Sequence, residues 1–429
     1  MLQTLGFSSL EELLAQIPAS LRTDKFNLPA ALTEQQLAAY AQEIAGQNKT
    51  LKNFIGAGCY EHFIPAAVPA LSSRGEFLTA YTPYQAEASQ GTLQTIYEFQ
   101  SCVCALLEMD VATASHYDGA TALAEAVLAA HRVTGRSEVI ISSLLHPHYK
   151  AVLHTYTRHS GVSITEAKAT ENGTLDVAAL QAQVSDKTAC VVLPTPNFLG
   201  YLEDASKIAE ITHAAGALLV AVVNPISLGV VQTPGSYSAD FAVCEGQPLG
   251  NPMSFGGPGL GIMTAKKAYM RQLPGRMVGI AKDKNGRRAF VLTLQAREQH
   301  IRREKAASNI CSNEAICALN AVIYLTLLGP QGIKEVAELN LERAHQLAEK
   351  ISTVKGFGVL NKAPFFNEFV VMCPRPAAEV IAALTEKGIA AGYDLGTTCG
   401  QMKNCLLVCA TEMRTEKDLQ AYADALGGI

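Results

Sequence analysis

Residues 240–261 read DFAVCEGQPLGNPMSFGGPGLG, and the apolar pattern continues as GIMTA through Ala265. The order is that of a strand, a long loop poor in charge, and a glycine-rich turn that feeds the next strand. No lysine or arginine occurs between Ile208 and Ala265, so the loop offers the amide of Gln247 where an amine could have stood.

Outward from this loop the chain alternates. SHYDGA (115–120) leads into the helix TALAEAVLAAHRVT, strand EVIISS (138–143) passes through HPHY into KAVLHTYTRH, and GVSITEA is another strand. The helix DVAALQAQVS, strand TACVVLP, helix EDASKIAEITHAAG and strand ALLVAVV follow. Strands that are apolar throughout and separated by helices predict a mostly parallel sheet covered on both faces. Upstream, residues 1–59 read as a helical arm, with Ser8-Ser9 capping LEELLAQI and Thr33 opening TEQQLAAYAQEIAG. A helix is expected from about Thr92 to Leu107. The expected divisions are the arm 1–59, a large α/β domain 60–304 and a small α+β domain 305–429, whose long helices EAICALNAVIYLTLLG and IKEVAELNLERAHQLAEKI join the two.

Bulk properties narrow the class. The 429 residues exceed one ordinary domain, and 34 basic against 39 acidic residues give a net charge of −5, which does not favour a nucleic-acid partner. Eleven scattered cysteines without paired CxxC spacing fit reduced thiols better than a metal site. The acidic, amphipathic start MLQTLGFSSLEELLAQ lacks the form of a targeting signal, and the aliphatic run Ala217–Val223 is too short to span a bilayer. A cytoplasmic protein with no membrane partner and no metal is expected.

A parallel sheet places ligands at the carboxyl ends of its strands. Ser115, Gly119 and Thr121 in SHYDGAT could present helix-terminal N–H groups and hydroxyls to an anion, or simply cap the helix. His146, at the end of EVIISS, could stack on a flat ring or be structural. The segment AYTPYQAEASQG gathers Tyr81, Thr82, Tyr84, Gln85 and Glu87, suited to a substrate channel or to an interface. Arg302 and Arg303 lie in a basic stretch that reads as a solvated face or an anion contact. Gly256 and Gly257 make a weak phosphate-nest signal. A pyridoxal-phosphate enzyme of the aminotransferase type would carry its Schiff-base lysine on this loop, and a glutamine amide cannot form the imine. The acid expected beneath the pyridine nitrogen is also missing from ALLVAVVNP, where Asn224 is the nearest polar group.

Several long segments carry a family resemblance: YEHFIPA (60–66), YTPYQAEASQGTLQTIYEFQ (81–100), ASHYDGATALAEA (114–126), HPHYKAVLHTY (146–156), EGQPLGNPMSFGGPGLG (245–261) and REQHIRREKAASNICSNEAICAL (297–319). Through them the chain resembles the N-terminal (α, subunit 1) half of two-subunit glycine dehydrogenase (decarboxylating), the P-protein of the glycine cleavage system. The match implies a start slightly inside the family's first helix. It also implies the aminotransferase-like fold type I of pyridoxal-phosphate enzymes, with the cofactor and its lysine on the β subunit (subunit 2). Glycine would be decarboxylated and its aminomethyl group passed to the lipoyl arm of H-protein, within an α2β2 assembly. Gln247 would be the degenerate counterpart of the lysine, and His146 that of the ring-stacking residue. Ser115, Gly119, Thr121, Asn224, Gly256 and Gly257 would complete a degenerate cofactor pocket, leaving no catalytic residue established in this chain. Two other readings stand beside this one. One is a purely structural scaffold for the β subunit, and the other an independent aminotransferase or lyase using Lys150 or Lys266.

Overall fold

The computed structural model describes residues 1–23, 25–310, 313–360 and 362–429. Cys311, which ends SNIC in the 297–319 segment, and the following Ser312 lie outside the described residues. The chain divides into two units, Met1–Thr50 and Leu51–Ile429. In the first, helices Leu10–Leu14 and Glu34–Ala45 begin where their caps predict: Ser9 Oγ accepts from Glu12 N–H, and Thr33 and Gln36 form a capping box. The first of these helices is shorter than LEELLAQI, ending at Leu14.

The second unit holds a seven-stranded sheet of β1 (Val111–Ala112), β2 (Glu138–Ser142), β3 (Ser163–Ala167), β4 (Thr188–Thr195), β5 (Leu218–Val223), β6 (Phe241–Glu245) and β7 (Gly261–Ala265). Their order is β1-β7-β6-β5-β4-β2-β3. The strands β3, β2, β4, β5 and β6 are parallel, while β7 runs antiparallel to β6 and to β1.

The central strands are apolar throughout because each face enters a different core. Val191, Leu193, Leu219 and Ala221 pack with α1 (Gln90–Leu107) on one side. Cys190, Val192, Val220 and Val243 pack on the other with α2 (Gly119–Thr134) and α3 (Pro147–Thr157). With two faces to cover, alternation of apolar and polar residues is lost.

Between Met277 and Thr293 an antiparallel hairpin, β8 (Met277–Lys282) with β9 (Arg288–Thr293), adds a feature that the sequence reading passed over. Its signal was present in Asn285-Gly286, a turn pair between two alternating runs. A four-stranded antiparallel sheet follows, built from β10 (Gly358–Val359), β11 (Glu368–Met372), β12 (Tyr393–Asp394) and β13 (Cys405–Cys409) in the order β10-β11-β13-β12.

The two long helices expected after residue 305 lie end to end over Ala315–Ser352, together α4, and are separated at Gly329, whose non-helical backbone has φ 60° and ψ −177° before Pro330. Proline lacks the N–H that a continuous helix would use, which places the break. By length and composition α4 could cross a bilayer, but Cys317, Ala321, Tyr324, Ala337 and Ile351 are buried against the cores. The short strand Lys52–Asn53 pairs with Ile389–Ala390, and Phe54 packs in the core beside the small sheet.

Candidate functional site

The carboxyl ends of β2, β4, β5 and β6 converge on two cavities. One, of about 80 Å³, is lined by Tyr60, His146, Asn197, Asn224, Glu245 and Glu368 among others. The second, of about 430 Å³, is lined by Asp118, His146, Gln247, Gly256, Gly257 and neighbours, and shares Gly58, His146, Tyr149 and Glu245 with the first. The topology therefore brings His146, Asn224, Gln247, Gly256 and Gly257 to the strand-end crevice that the sheet predicts.

The groups in this crevice are committed to one another. Asp118 Oδ1 accepts the Thr121 N–H at 2.7 Å and Thr121 Oγ1 accepts the Asp118 N–H at 3.1 Å, a capping box at the start of α2. Gly119, the first residue of that helix, donates its N–H to Glu245 Oε2 at 2.9 Å. The other oxygen of Glu245 accepts the N–H groups of Leu260 at 2.8 Å and Gln247 at 3.0 Å. Burial pushes the Glu245 carboxyl above its ordinary range, against the opposing pull of those three N–H groups. Ser115 Oγ is used elsewhere, accepting the Glu314 N–H at 3.0 Å.

Gln247 is 5% exposed and fully bonded. Its Nε2 donates to the carbonyls of Tyr60 at 2.9 Å and Asn251 at 2.8 Å, and its Oε1 accepts the Tyr60 N–H at 3.0 Å. The amide thus pins the irregular segment 57–61 across the strand ends. On that segment, Ala57 O accepts from His146 Nε2 at 2.8 Å, while His146 Nδ1 accepts the His148 N–H at 3.1 Å and caps α3. Those two bonds select one neutral tautomer, and burial lowers the imidazole to about 4. Its ring packs edge-on to Phe198, with centroids 4.9 Å apart. Asn224 Oδ1 accepts the Ile226 N–H at 3.0 Å, while its Nδ2 is buried without a partner.

Glu368 is the carboxylate that sequence reasoning missed. It accepts the Tyr60 hydroxyl and the Ala57 N–H, each at 2.6 Å, and burial raises it to about 6. A lone acid inside the apolar run FFNEFVV was the available signal. Glu245 was equally legible as the single charge ending FAVCE, although its partner Gly119 lies 126 residues away.

The two alternative amines are engaged away from the crevice. Lys150 Nζ donates to Ser143 O at 2.9 Å and pairs with Glu166 at 3.0 Å. Lys266, after β7, pairs with Asp240 at 2.7 Å, at the edge of the sheet where β6 begins.

The tyrosine-rich segment occupies different surroundings. Tyr81 is 85% exposed and, with Thr82, lines a cavity of about 160 Å³ alongside Ile96, Asn313, Ile316 and Leu319. Tyr84 is 54% exposed, and its hydroxyl accepts from Arg276 Nη2 at 3.0 Å with the guanidinium 5.5 Å from the ring centre. Gln85 and Glu87 are exposed. Arg302 and Arg303 are exposed as well, Arg303 lining a separate cleft with Glu125 and Tyr156. Neither the tyrosine segment nor this arginine pair lines the strand-end cavities. Among the described residues no group of three His, Cys, Asp or Glu could hold a metal ion.

Comparison with known proteins agrees with this architecture. The family model for the glycine cleavage system P-protein matches residues 1–426. A relative from Chlorobium chlorochromatii, named "Probable glycine dehydrogenase (decarboxylating) subunit 1", is 51% identical over 100% of this chain and 97% of its own length. One of the same name from Moorella thermoacetica is 49% identical with the same coverage. Among solved structures, a glycine decarboxylase (P-protein) of the glycine cleavage system in inhibitor-bound form superposes with a TM-score of 0.93 at 44% identity, covering 100% of this chain and 97% of that one. A sphingosine-1-phosphate lyase of Burkholderia pseudomallei, 14% identical with a TM-score of 0.69 over 96% and 93% of the two chains, shares the fold alone. The fold is the aminotransferase-like fold type I of pyridoxal-phosphate enzymes, and the chain belongs to the glycine cleavage system P-protein family.

Proposed function

We propose that this chain is the subunit of a glycine dehydrogenase (decarboxylating) that lacks the Schiff-base lysine, and that it turns over only with a pyridoxal-phosphate-bearing subunit 2. The complex, an α2β2 assembly in the cytoplasm, decarboxylates glycine, releases CO2 and passes the aminomethyl group to the lipoyl arm of H-protein. One observation carries the assignment of the chemistry to the partner: Gln247 spends its amide on backbone groups of Tyr60 and Asn251, in a stretch without any lysine. The residues at the strand ends do not fit a covalently held pyridoxal phosphate, since they supply neither an amine nor an acid in place of Asn224.

What the chain contributes is surface. In this reading the exposed segment of Tyr81, Thr82, Tyr84, Gln85 and Glu87 meets the partner's active site, where phenols offer ring area and a donor. Arg276 holds the Tyr84 hydroxyl in place, and Arg302 and Arg303 present positive charge toward an anionic contact. The large domain 60–304 and the small domain 305–429 form the body on which this surface is carried. The isolated chain is expected to show no aldimine absorbance, no pyridoxal adduct after borohydride and no glycine–bicarbonate exchange, with exchange appearing on mixing with subunit 2. A stoichiometric adduct on the isolated chain overturns the reading.

A further inference from the structure

A helix N-terminus attracts anions because its first N–H groups are unpaired and its dipole is positive there. In this chain that place is taken. Glu245, at the end of β6, lays its carboxylate on the Gly119 N–H of α2 and collects two more N–H groups from its own loop, Gln247 and Leu260. The approach needs a glycine, since a Cβ at position 119 would collide with the Tyr149 hydroxyl and with the backbone nitrogen of Glu245. Asp118 adds a second carboxylate at the same turn, near enough that a Cβ on Gly259 would meet Asp118 Cβ at 3.0 Å and Glu245 Oε2 at 3.3 Å. None of the residues lining the two cavities is a lysine or arginine. An incoming phosphate would therefore find the Gly119 and Thr121 N–H groups in use and the carboxylates of Glu245 and Asp118 already beside them.

We propose that Glu245 is a built-in anion occupying the N-terminus of α2, so that the strand-end pocket excludes phosphorylated ligands, pyridoxal phosphate included. The proposal rests on the reading that the cofactor belongs to the partner, but it adds a separate cause. Loss of the lysine removes covalent attachment, whereas Glu245 removes reversible binding as well.

Equilibrium dialysis of the full chain against inorganic phosphate and against pyridoxal phosphate tests it, with borohydride trapping in parallel. The native chain is expected to show no saturable binding of either. Glu245→Ala is expected to free the helix N-terminus and gain at least about tenfold in phosphate affinity. Glu245→Gln, which keeps an acceptor and most of the volume, serves as the second variant and decides the matter should the alanine chain not fold; it is expected to gain less. Saturable, borohydride-silent binding of either ligand to the native chain would overturn this inference and leave the function reading standing. A borohydride-fixed adduct would instead sink the function reading. Folded variants that gain no phosphate binding would also overturn the proposal.

Discussion

The strand-end pocket and the tyrosine segment are opposites in how their polar groups are used. Around Gln247 the polar groups are bonded to backbone from distant parts of the chain, and the conserving principle is saturation: Gln247, Glu245, His146 and Glu368 face Tyr60, Gly119 and Ala57. Around Tyr81 a ring stands 85% exposed beside an apolar cavity, and Tyr84, 54% exposed, has its hydroxyl bonded to the buried Arg276, whose guanidinium lies over the ring. A buried network of this kind contributes rigidity and leaves little to offer a substrate beyond Asn224 Nδ2, which is buried without a partner. An exposed, positioned phenol contributes little to its own fold and is available to a partner.

The largest expected effect breaks this contrast directly. In the assembled complex, Tyr84→Ala is expected to lower glycine–bicarbonate exchange about 100-fold, the scale of one lost acid–base or positioning group, while gel filtration shows assembly unchanged. Full turnover would turn the segment into scaffold. Gln247→Ala is expected to act on stability instead. It strands the Tyr60 N–H and carbonyl and the Asn251 carbonyl in a buried setting, at a cost of about 3 kcal/mol. Urea unfolding would measure that loss, and exchange by the intact complex should stay near the native value.

Glu368→Gln sharpens the comparison through pH. The folded carboxyl is raised from 4.5 to about 6 by burial, so the folded state holds its proton more tightly than the unfolded state. Stability from this group is complete below about pH 4.5 and is lost as pH rises through 6, a penalty of about 2 kcal/mol at neutral pH. The variant lacks that titration, so its stability relative to the native chain should climb by this amount between pH 4 and 7.5. A flat difference across that range would contradict a buried, titrating Glu368. The smallest effect is expected of Gly58→Ala: φ is +95° there and a Cβ would meet His146 Nε2 at 3.1 Å, a cost of about 1 kcal/mol readable in the same unfolding experiment.

Much of this was legible in the chain itself. The strands of the large sheet follow from apolar runs bounded by helices, and β2, β4, β5 and β6 fall where EVIISS, TACVVLP, ALLVAVV and FAVCE lie. Thr121 was open to two readings, anion donor or cap, and its hydroxyl caps. Ser115 was offered as a donor to an anion, and its oxygen also accepts the Glu314 N–H. The Ser115 contact could not be derived locally, because its partner lies 199 residues away. The β8–β9 hairpin was readable from Asn285-Gly286 between two alternating runs.

By itself the sequence determined the class of sheet, through strands with no polar face, and the absence of any amine from 208 to 265, which is a fact of composition. Only the tertiary structure decided what fills the vacated chemistry: a carboxylate 126 residues from its helix N-terminus and an amide 187 residues from the Tyr60 backbone it bonds. Local pattern is dictated by hydrophobic periodicity, which each segment carries within it. Hydrogen-bond partners at such separations are set by the path of the chain, which no single segment contains.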